Sequence, residues 1–211
     1  MSRDHILHHV RTSLGRGAGQ PPAEPPAARI RIPSADPEAR IASFRQRLEA
    51  LAGKTHRAAT PREASTVVES VLAGRSAVAS NAPYLVECGI TSLPTVRSGI
   101  GDPGELRAAC ATIDAGITSA DFALADTGTL VLLSSFEEAR MISLLPPAYI
   151  AVVPAERILT GLDELFSVLP NPAELSSSMV LITGPSRTAD IEQILVRGVH
   201  GPGQITAVVV G

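Results

Sequence analysis

The sequence predicts an α/β fold: a mostly parallel β-sheet flanked by helices on both sides, with one inserted β-hairpin. Three observations predict it. From residue 61 onward, apolar stretches rich in Val, Ile and Leu alternate with segments of helical periodicity. Turn signals built from Gly and Pro separate them. The stretch Met179 to Gly211 reads strand, loop, helix, turn, strand, the order of a unit that feeds a parallel sheet.

Two parts are expected along the chain: residues 1–34, an N-terminal helical arm with a Pro/Gly-rich linker, and residues 35–211, the α/β domain. Arg3 to Leu14 carries Ile6, Leu7, Val10 and Leu14 on one side of a short helix. His5 and His9 lie one turn apart on it, without a third metal ligand in view. Gly15 to Pro26 is the linker. Asp36-Pro37 starts the first helix of the body, with Ile41, Phe44, Leu48 and Leu51 as its stripe. Thr60-Pro61-Arg62-Glu63 is a capping box for the next, with Ala64, Val67, Val68 and Val71 inward. Ser76 to Ser80 reads as a strand, and Pro83 opens a short helix. Gly99 to Gly104 lacks dinucleotide or P-loop spacing and reads as a turn before a helix from Glu105. Phe122 to Ala125 and Thr129 to Leu133 flank the turn Asp126-Thr127-Gly128, a hairpin in which Gly128 is free to take positive φ. Phe136 to Leu145 reads as a helix, Tyr149 to Val153 as a strand, and Ala155 to Leu169 as a helix burying Ile158, Leu162, Leu165 and Phe166.

Composition narrows the function classes. Hydrophobic residues make up 45% and charged ones 18%, which suits a sizeable core and argues against global disorder. A net charge of −3 gives no reason to expect nucleic acid, and the lack of Trp removes stacking platforms for single strands. Cys88 and Cys110 have no cluster spacing, so alone they hold neither an iron–sulfur centre nor a structural zinc. Two lone cysteines fit a reducing cytosol. No apolar run reaches bilayer length and no signal-peptide core is present, so a cytoplasmic location is expected.

Functional groups are densest in Gly184-Pro185-Ser186-Arg187-Thr188-Ala189-Asp190-Ile191-Glu192. A helix starting there, capped by Ser186 or Thr188, presents unpaired N–H groups and a partial positive charge. Arg187 adds a planar fork for a carboxylate or phosphate, and together these make an anion seat. Asp190 and Glu192 have a second reading as acids favourable in a first helical turn. His200, flanked by Gly198 and Gly201, is a candidate proton donor or simply a turn residue.

The strings ADTGTL (Ala125 to Leu130), TGPSRTADIE (Thr183 to Glu192) and GVHGPG (Gly198 to Gly203) together resemble the lactate-utilisation protein C family, the small, cluster-free member of the LUD domain group. The resemblance runs over roughly Asp36 to Gly211. It implies a fold like that of sugar-phosphate isomerases, CoA transferases and formyltetrahydrofolate cyclo-ligase. It also implies a role beside two iron–sulfur partners, lactate-utilisation proteins A and B, in oxidising L-lactate to pyruvate. On this reading the chain itself carries no cofactor and binds a small anionic metabolite. Asp126, His200 and Asp190 become the candidate catalytic groups. Thr127, Gly128, Thr129, Arg140, Gly184, Ser186, Arg187, Thr188 and Glu192 become the candidate ligand contacts. The sequence departs from the pattern of relatives at Asp126, where Glu is common, and at Tyr149 and Thr206, where or near which His is common. Two other functions remain open: a stand-alone sugar-phosphate- or acyl-CoA-type enzyme with Asp126 as base or nucleophile, and a non-catalytic metabolite-binding module. Each of the site-based readings requires the hairpin tip and the loop after Thr183 to share one cleft.

Overall fold

The structure, a computed structural model, describes residues 2–17, 19–21, 30–189, 195–198 and 200–211. The chain divides into two compact units, Met1–Ile30 and Arg31–Gly211. The first holds helix α1 (Arg3–Ser13), whose N-cap Ser2 accepts the His5 N–H and which buries no residue. The His5 and His9 rings meet edge to face, 4.8 Å apart.

The second unit is built on six parallel strands in the order β1-β12-β7-β4-β2-β3. They are β1 (Lys54–Ala58), β2 (Ala77–Ala79), β3 (Val96–Arg97), β4 (Ala115–Ser119), β7 (Ala148–Pro154) and β12 (Gln204–Val210). Both faces of this sheet are covered, as a parallel sheet requires. Side chains alternate along a strand, so β7 sends Ile150 and Val152 to one core and Tyr149, Ala151 and Val153 to the other. The first core is closed by α3 (Pro61–Leu72), through Ala64, Val68 and Leu72, and by Leu85 of α4 (Pro83–Glu87). The second is closed by α2 (Pro37–Ala50), through Ile41, Phe44 and Leu48. A third cluster joins Leu106 and Cys110 of α5 (Pro103–Thr112) to Ile142 of α6 (Met141–Leu144).

The caps expected at Asp36 and Thr60 form, and Asp102 caps a third helix, which starts at Pro103 rather than at the expected Glu105. The Asp36 carboxylate accepts the Glu38 N–H at 3.1 Å, Thr60 Oγ1 accepts Glu63 N–H at 3.2 Å, and Asp102 accepts Glu105 N–H at 2.7 Å.

The hairpin is not part of the main sheet. Its strands β5 (Phe122–Leu124) and β6 (Thr129–Leu133) lie in a four-stranded sheet ordered β8-β5-β6-β9, with β8 (Ile158–Leu159) and β9 (Met179–Ile182) at its edges. This sheet shares the second core with α2, since Leu130, Leu132 and Ile182 pack there.

Three expected helices are corrected. Of Phe136 to Leu145, only Met141–Leu144 is helical. Upstream, the Ser135 hydroxyl accepts the N–H groups of Glu137 (3.1 Å) and Glu138 (3.0 Å), and these local bonds compete with a helix. Ala155 to Leu169 is broken into a 3-10 turn, β8, and α7 (Leu162–Val168). The Glu164 carboxylate takes the Thr160 N–H at 2.6 Å and its hydroxyl at 2.8 Å, fixing the start of α7 late. Leu165 is buried, but Leu162 and Phe166 are exposed. A further short helix, α8 (Pro172–Leu175), precedes β9. After Ser186 the chain forms an antiparallel pair, β10 (Arg187–Ala189) and β11 (Leu195–Arg197), where a helix was expected. Residues 190–194, which carry most of that expected helix, lie outside the described residues. The strand β1, KTHRA, lacks apolar alternation because it is an edge strand with only Ala58 buried, and pattern reading passes over it.

Candidate functional site

The hairpin tip is a chain of hydroxyls. Gly128 adopts φ 70° and donates its N–H to the Leu124 carbonyl at 2.9 Å, closing the turn. Thr127 Oγ1 lies 3.2 Å from an Asp126 oxygen and 2.8 Å from Thr129 Oγ1, which lies 3.0 Å from Thr183 Oγ1. Asp126 donates its own N–H to the Thr160 carbonyl at 3.1 Å. Its carboxylate rests against the bare α-carbon of Gly161, where an added Cβ would stand 2.5 Å from Oδ2. Asp126 and Thr127 are exposed, whereas Thr129 is buried.

The C-terminal end of α2 forms the wall behind this tip. Gly128 sits directly on the Arg47–Leu48 backbone, and Gly184 sits on Leu51. Ser43 Oγ donates to the Ala125 carbonyl at 2.7 Å. Arg187 donates a guanidinium N–H to the carbonyl of Leu51, the C-cap of α2, where a cation meets the negative end of the helix dipole. The hairpin tip, Thr183, Gly184 and Arg187 therefore gather around one helix end. An open cleft of about 420 Å³ is lined there by Leu51, Leu181, Thr183, Gly184, Pro185 and Arg187.

Other candidates lie elsewhere. Ser186 donates its N–H to the Pro202 carbonyl at 2.9 Å and accepts from Gly198 N–H at 3.0 Å, so it packs against the turn carrying exposed His200. That turn ends with Gly203 N–H bonded to the Pro147 carbonyl, at the amino ends of β7 and β12. Arg140 is bonded to Ser178 Oγ at 3.2 Å, beside the Leu133↔Met179 end of the small sheet. Leu133 is four strand residues from Thr129, roughly 13 Å at the usual rise, so Arg140 is separated from the hairpin tip. Thr188 lies in β10, so the helix-terminus anion seat is replaced by a strand. Asp190 and Glu192 lie outside the described residues.

A second constellation escapes sequence reading. Open parallel sheets hold ligands at the carboxyl ends of strands, where chain order reverses. Here the reversal falls between β2 and β4: after β2 the chain moves outward to β3, and after β4 it moves the other way, to β7. Ser80, Asn81, Ser119 and Asp121 follow or end these strands. Two clefts, about 310 and 390 Å³, meet there and share Tyr84, Ser119 and Asp121. Glu137 and Glu138 line the larger, and Glu87, Glu156 and Arg157 line the smaller.

Glu138 is the unusual group. Its Oε1 accepts the Ser119 N–H at 2.9 Å. Its Oε2 and the hydroxyl of Ser80, both buried, make no well-aligned hydrogen bond among the described residues and lie against each other. Burial pushes the Glu138 carboxyl up to about 8, partly opposed by the Ser80 hydroxyl beside it and the Ser119 N–H, and helped by the charges of Asp121 and Glu137. Burial also raises Asp121, against the Leu133 N–H it accepts at 2.7 Å and the charge of Arg157. Glu137 and Glu138 fall within the expected helix Phe136 to Leu145 and carry no local mark of a site. The available signal is positional: polar residues directly after successive parallel strands.

Among the described residues, no cluster of three His, Cys, Asp or Glu has the arrangement of a metal site. Cys88 and Cys110 are free, buried and in separate core clusters. Burial, with Glu87 second, pushes the Cys88 thiol up to about 11, and burial raises Cys110. Among the described residues no helix is long and apolar enough to cross a membrane.

A mostly parallel sheet covered by helices on both faces, with polar groups collected at its order reversal, defines an α/β domain whose candidate ligand position is that reversal. The family model for the LUD domain matches residues 41–210, and the chain belongs to that family. It is 35% identical over 147 residues to lactate utilization protein C 1 of Bacillus mycoides, covering 64% of this chain and 63% of that protein. It is 44% identical over 101 residues to lactate utilization protein C of Halalkalibacterium halodurans, covering 46% of this chain and 44% of that protein. The matches thus span less than two thirds of these relatives. A DUF162 family protein from Deinococcus radiodurans has the same fold, with TM-score 0.65 at 19% identity, over 84% of this chain and 100% of that one.

Proposed function

We propose that this chain is a cytoplasmic lactate-utilisation protein: a cluster-free accessory subunit of a system that oxidises L-lactate to pyruvate. The observation that carries this is its similarity to proteins named lactate utilization protein C. Electrons pass through separate iron–sulfur partners, lactate-utilisation proteins A and B, and this chain brings no cofactor of its own. Two thiols buried in different parts of the core support that division of labour. The chain's own task is to hold a small anionic metabolite in the cleft between Thr183 and Arg187, where the described lining includes a cation and a hydroxyl but no carboxylate. Only one of the five N–H donors of a guanidinium is needed for the Leu51 carbonyl, which leaves a fork for a carboxylate.

Deleting the gene and growing cells on L-lactate tests the role. Growth should fail, return with the intact gene, and return poorly with Arg187→Ala. Normal growth of the deletion strain, without a second copy of the gene, sinks the proposal.

A further inference from the structure

We propose that the cleft at the amino ends of β1 and β12 is a second binding site, for the phosphoryl group of a small metabolite, held by Lys54, His56, Arg75 and Thr206. This goes beyond the cleft at Arg187 and shares no lining residue with it.

Strand register brings these groups together. Side chains alternate along a strand, and Ala58, Val208 and Val210 pack in the first core with α3. Lys54, His56, Gln204 and Thr206 keep the same phase, so they face the α3 side. Lys54 stands opposite Thr206 across the β1–β12 pair. Arg75 follows α3 and turns back to it, donating from Nε to the Leu72 carbonyl at 3.1 Å and from Nη2 to the Val71 carbonyl at 2.9 Å. Its Nη1 lies 3.4 Å from the side-chain oxygen of Gln204, a long contact that a stronger acceptor displaces. The cleft so formed holds about 510 Å³, and Ser70 of α3 lines it too.

Charge sets this cleft apart. The chain has more acidic than basic residues, and Lys54 is its one lysine. On the other face of β1, charges are matched: Arg57 pairs with Glu38 of α2 at 2.6 Å, and Thr55 joins Arg45 to Glu49. On the α3 face, Lys54 and His56 have no acidic partner among the described residues, and no carboxylate lines the cleft. Asp114 is held by the Ser76 hydroxyl at 2.6 Å and N–H at 2.9 Å, with Arg75 a weaker influence, and it is not part of the lining. A cleft lined by one sign of charge concentrates ions of the other.

Thr206 points the same way independently. It is 6% exposed, lines the cleft, and its hydroxyl has no hydrogen bond among the described residues. The enclosed side-chain atoms without an aligned partner there are Ser80 Oγ and Glu138 Oε2. The Thr206 oxygen is not enclosed, so it opens on the cleft, a fixed donor behind longer and more mobile cations. An ammonium, an imidazole N–H, a guanidinium edge and a hydroxyl thus approach from β1, β12 and the segment after α3. Tetrahedral phosphoryl oxygens accept from several sides at once, whereas a carboxylate is filled by a single fork. The volume leaves room for a short carbon skeleton as well.

Selective nitrogen-15 labelling of lysine gives this chain one amide signal, at Lys54. In the intact protein, inorganic phosphate and glycerol phosphate should move that signal saturably, with a Kd of about 1 mM or tighter, and glycerol should not. Thr206→Val keeps the shape of the strand, so its urea midpoint should hold while phosphate binding weakens about tenfold, the scale of one hydrogen bond to a charged group. Lys54→Gln, followed by calorimetry, should weaken phosphate as well. Absence of any shift overturns the proposal, as does an equal response to glycerol. A shift that never saturates, or one unchanged in Thr206→Val, means an adventitious ion only and overturns it too. Arg187→Ala should leave the titration as it is, and growth on L-lactate plays no part in it, so either reading can fail without the other.

Discussion

Thr129 and Thr183, 54 residues apart in sequence, meet with their hydroxyl oxygens 3.0 Å apart at the end of the β6–β9 pair. The contact joins the hairpin tip to the loop that leads to Arg187. Replacing either threonine by Val should loosen both, and the double substitution should cost less than the sum. The expected coupling is about 1 kcal/mol, read from a double-mutant cycle in urea. A coupling of zero would mean that the two loops are placed independently.

Gly128 is held by its backbone angle and by its neighbour. At φ 70° it pays no Cβ penalty, and a Cβ would overlap the backbone where Arg47 joins Leu48. Gly128→Ala should destabilise the domain by on the order of 3 kcal/mol. Chemical denaturation that shows less than about 0.5 kcal/mol would contradict the contact between hairpin tip and helix end.

Glu138 predicts a pH dependence of a definite sign. Folding raises its carboxyl from 4.5 to about 8, so the folded state holds more protons than the unfolded state between those values. Stability from this group is full below pH 4.5, declines as pH rises, and is gone above about 8. The total is on the order of a few kcal/mol. Glu138→Gln should flatten most of the slope, leaving the smaller contribution of Asp121, which is raised in the same direction. Urea midpoints from pH 5 to 9 would show it, and an equal slope in both proteins would refute it.

Cys88 and Cys110 should behave as core residues. Each is 1% exposed and has a raised thiol. The thiolate is the reactive form, so an aromatic disulfide reagent at pH 7 should label neither until denaturant is added. Rapid labelling of folded protein would reopen a redox role for this chain.

What was legible in the sequence follows from what is local. Asp36 and Thr60 announce their helices because each cap joins residues two or three positions apart. Gly128 announces its turn for the same reason. Parallel strands β7 and β12 show as apolar runs because both faces are buried, whereas β4, AGITS, has too few apolar residues to announce itself. The errors arose where distant pairing decided the outcome. β9 reads like a strand of the main sheet, yet it pairs with β6, and the loop after it therefore leads to the amino ends of β7 and β12. Nothing near Arg187 in the sequence announces that one of its N–H groups goes to the Leu51 carbonyl, 136 residues away. Glu138 gives no signal in the sequence because nothing in its neighbours reveals that Ser119 and Ser80 lie against it.

β12 lies between β1 and β7, with Lys54 facing Thr206 across the join. Among the described strands, the first of the domain to be made thus finds its partner in the sheet only after the last one emerges. Pairings so distant in sequence close slowly, and a nascent strand meanwhile offers an open row of backbone donors and acceptors to any neighbouring chain. Lys54-Thr55-His56-Arg57 answers that hazard: charge and polarity on the waiting strand keep it soluble until its mate arrives.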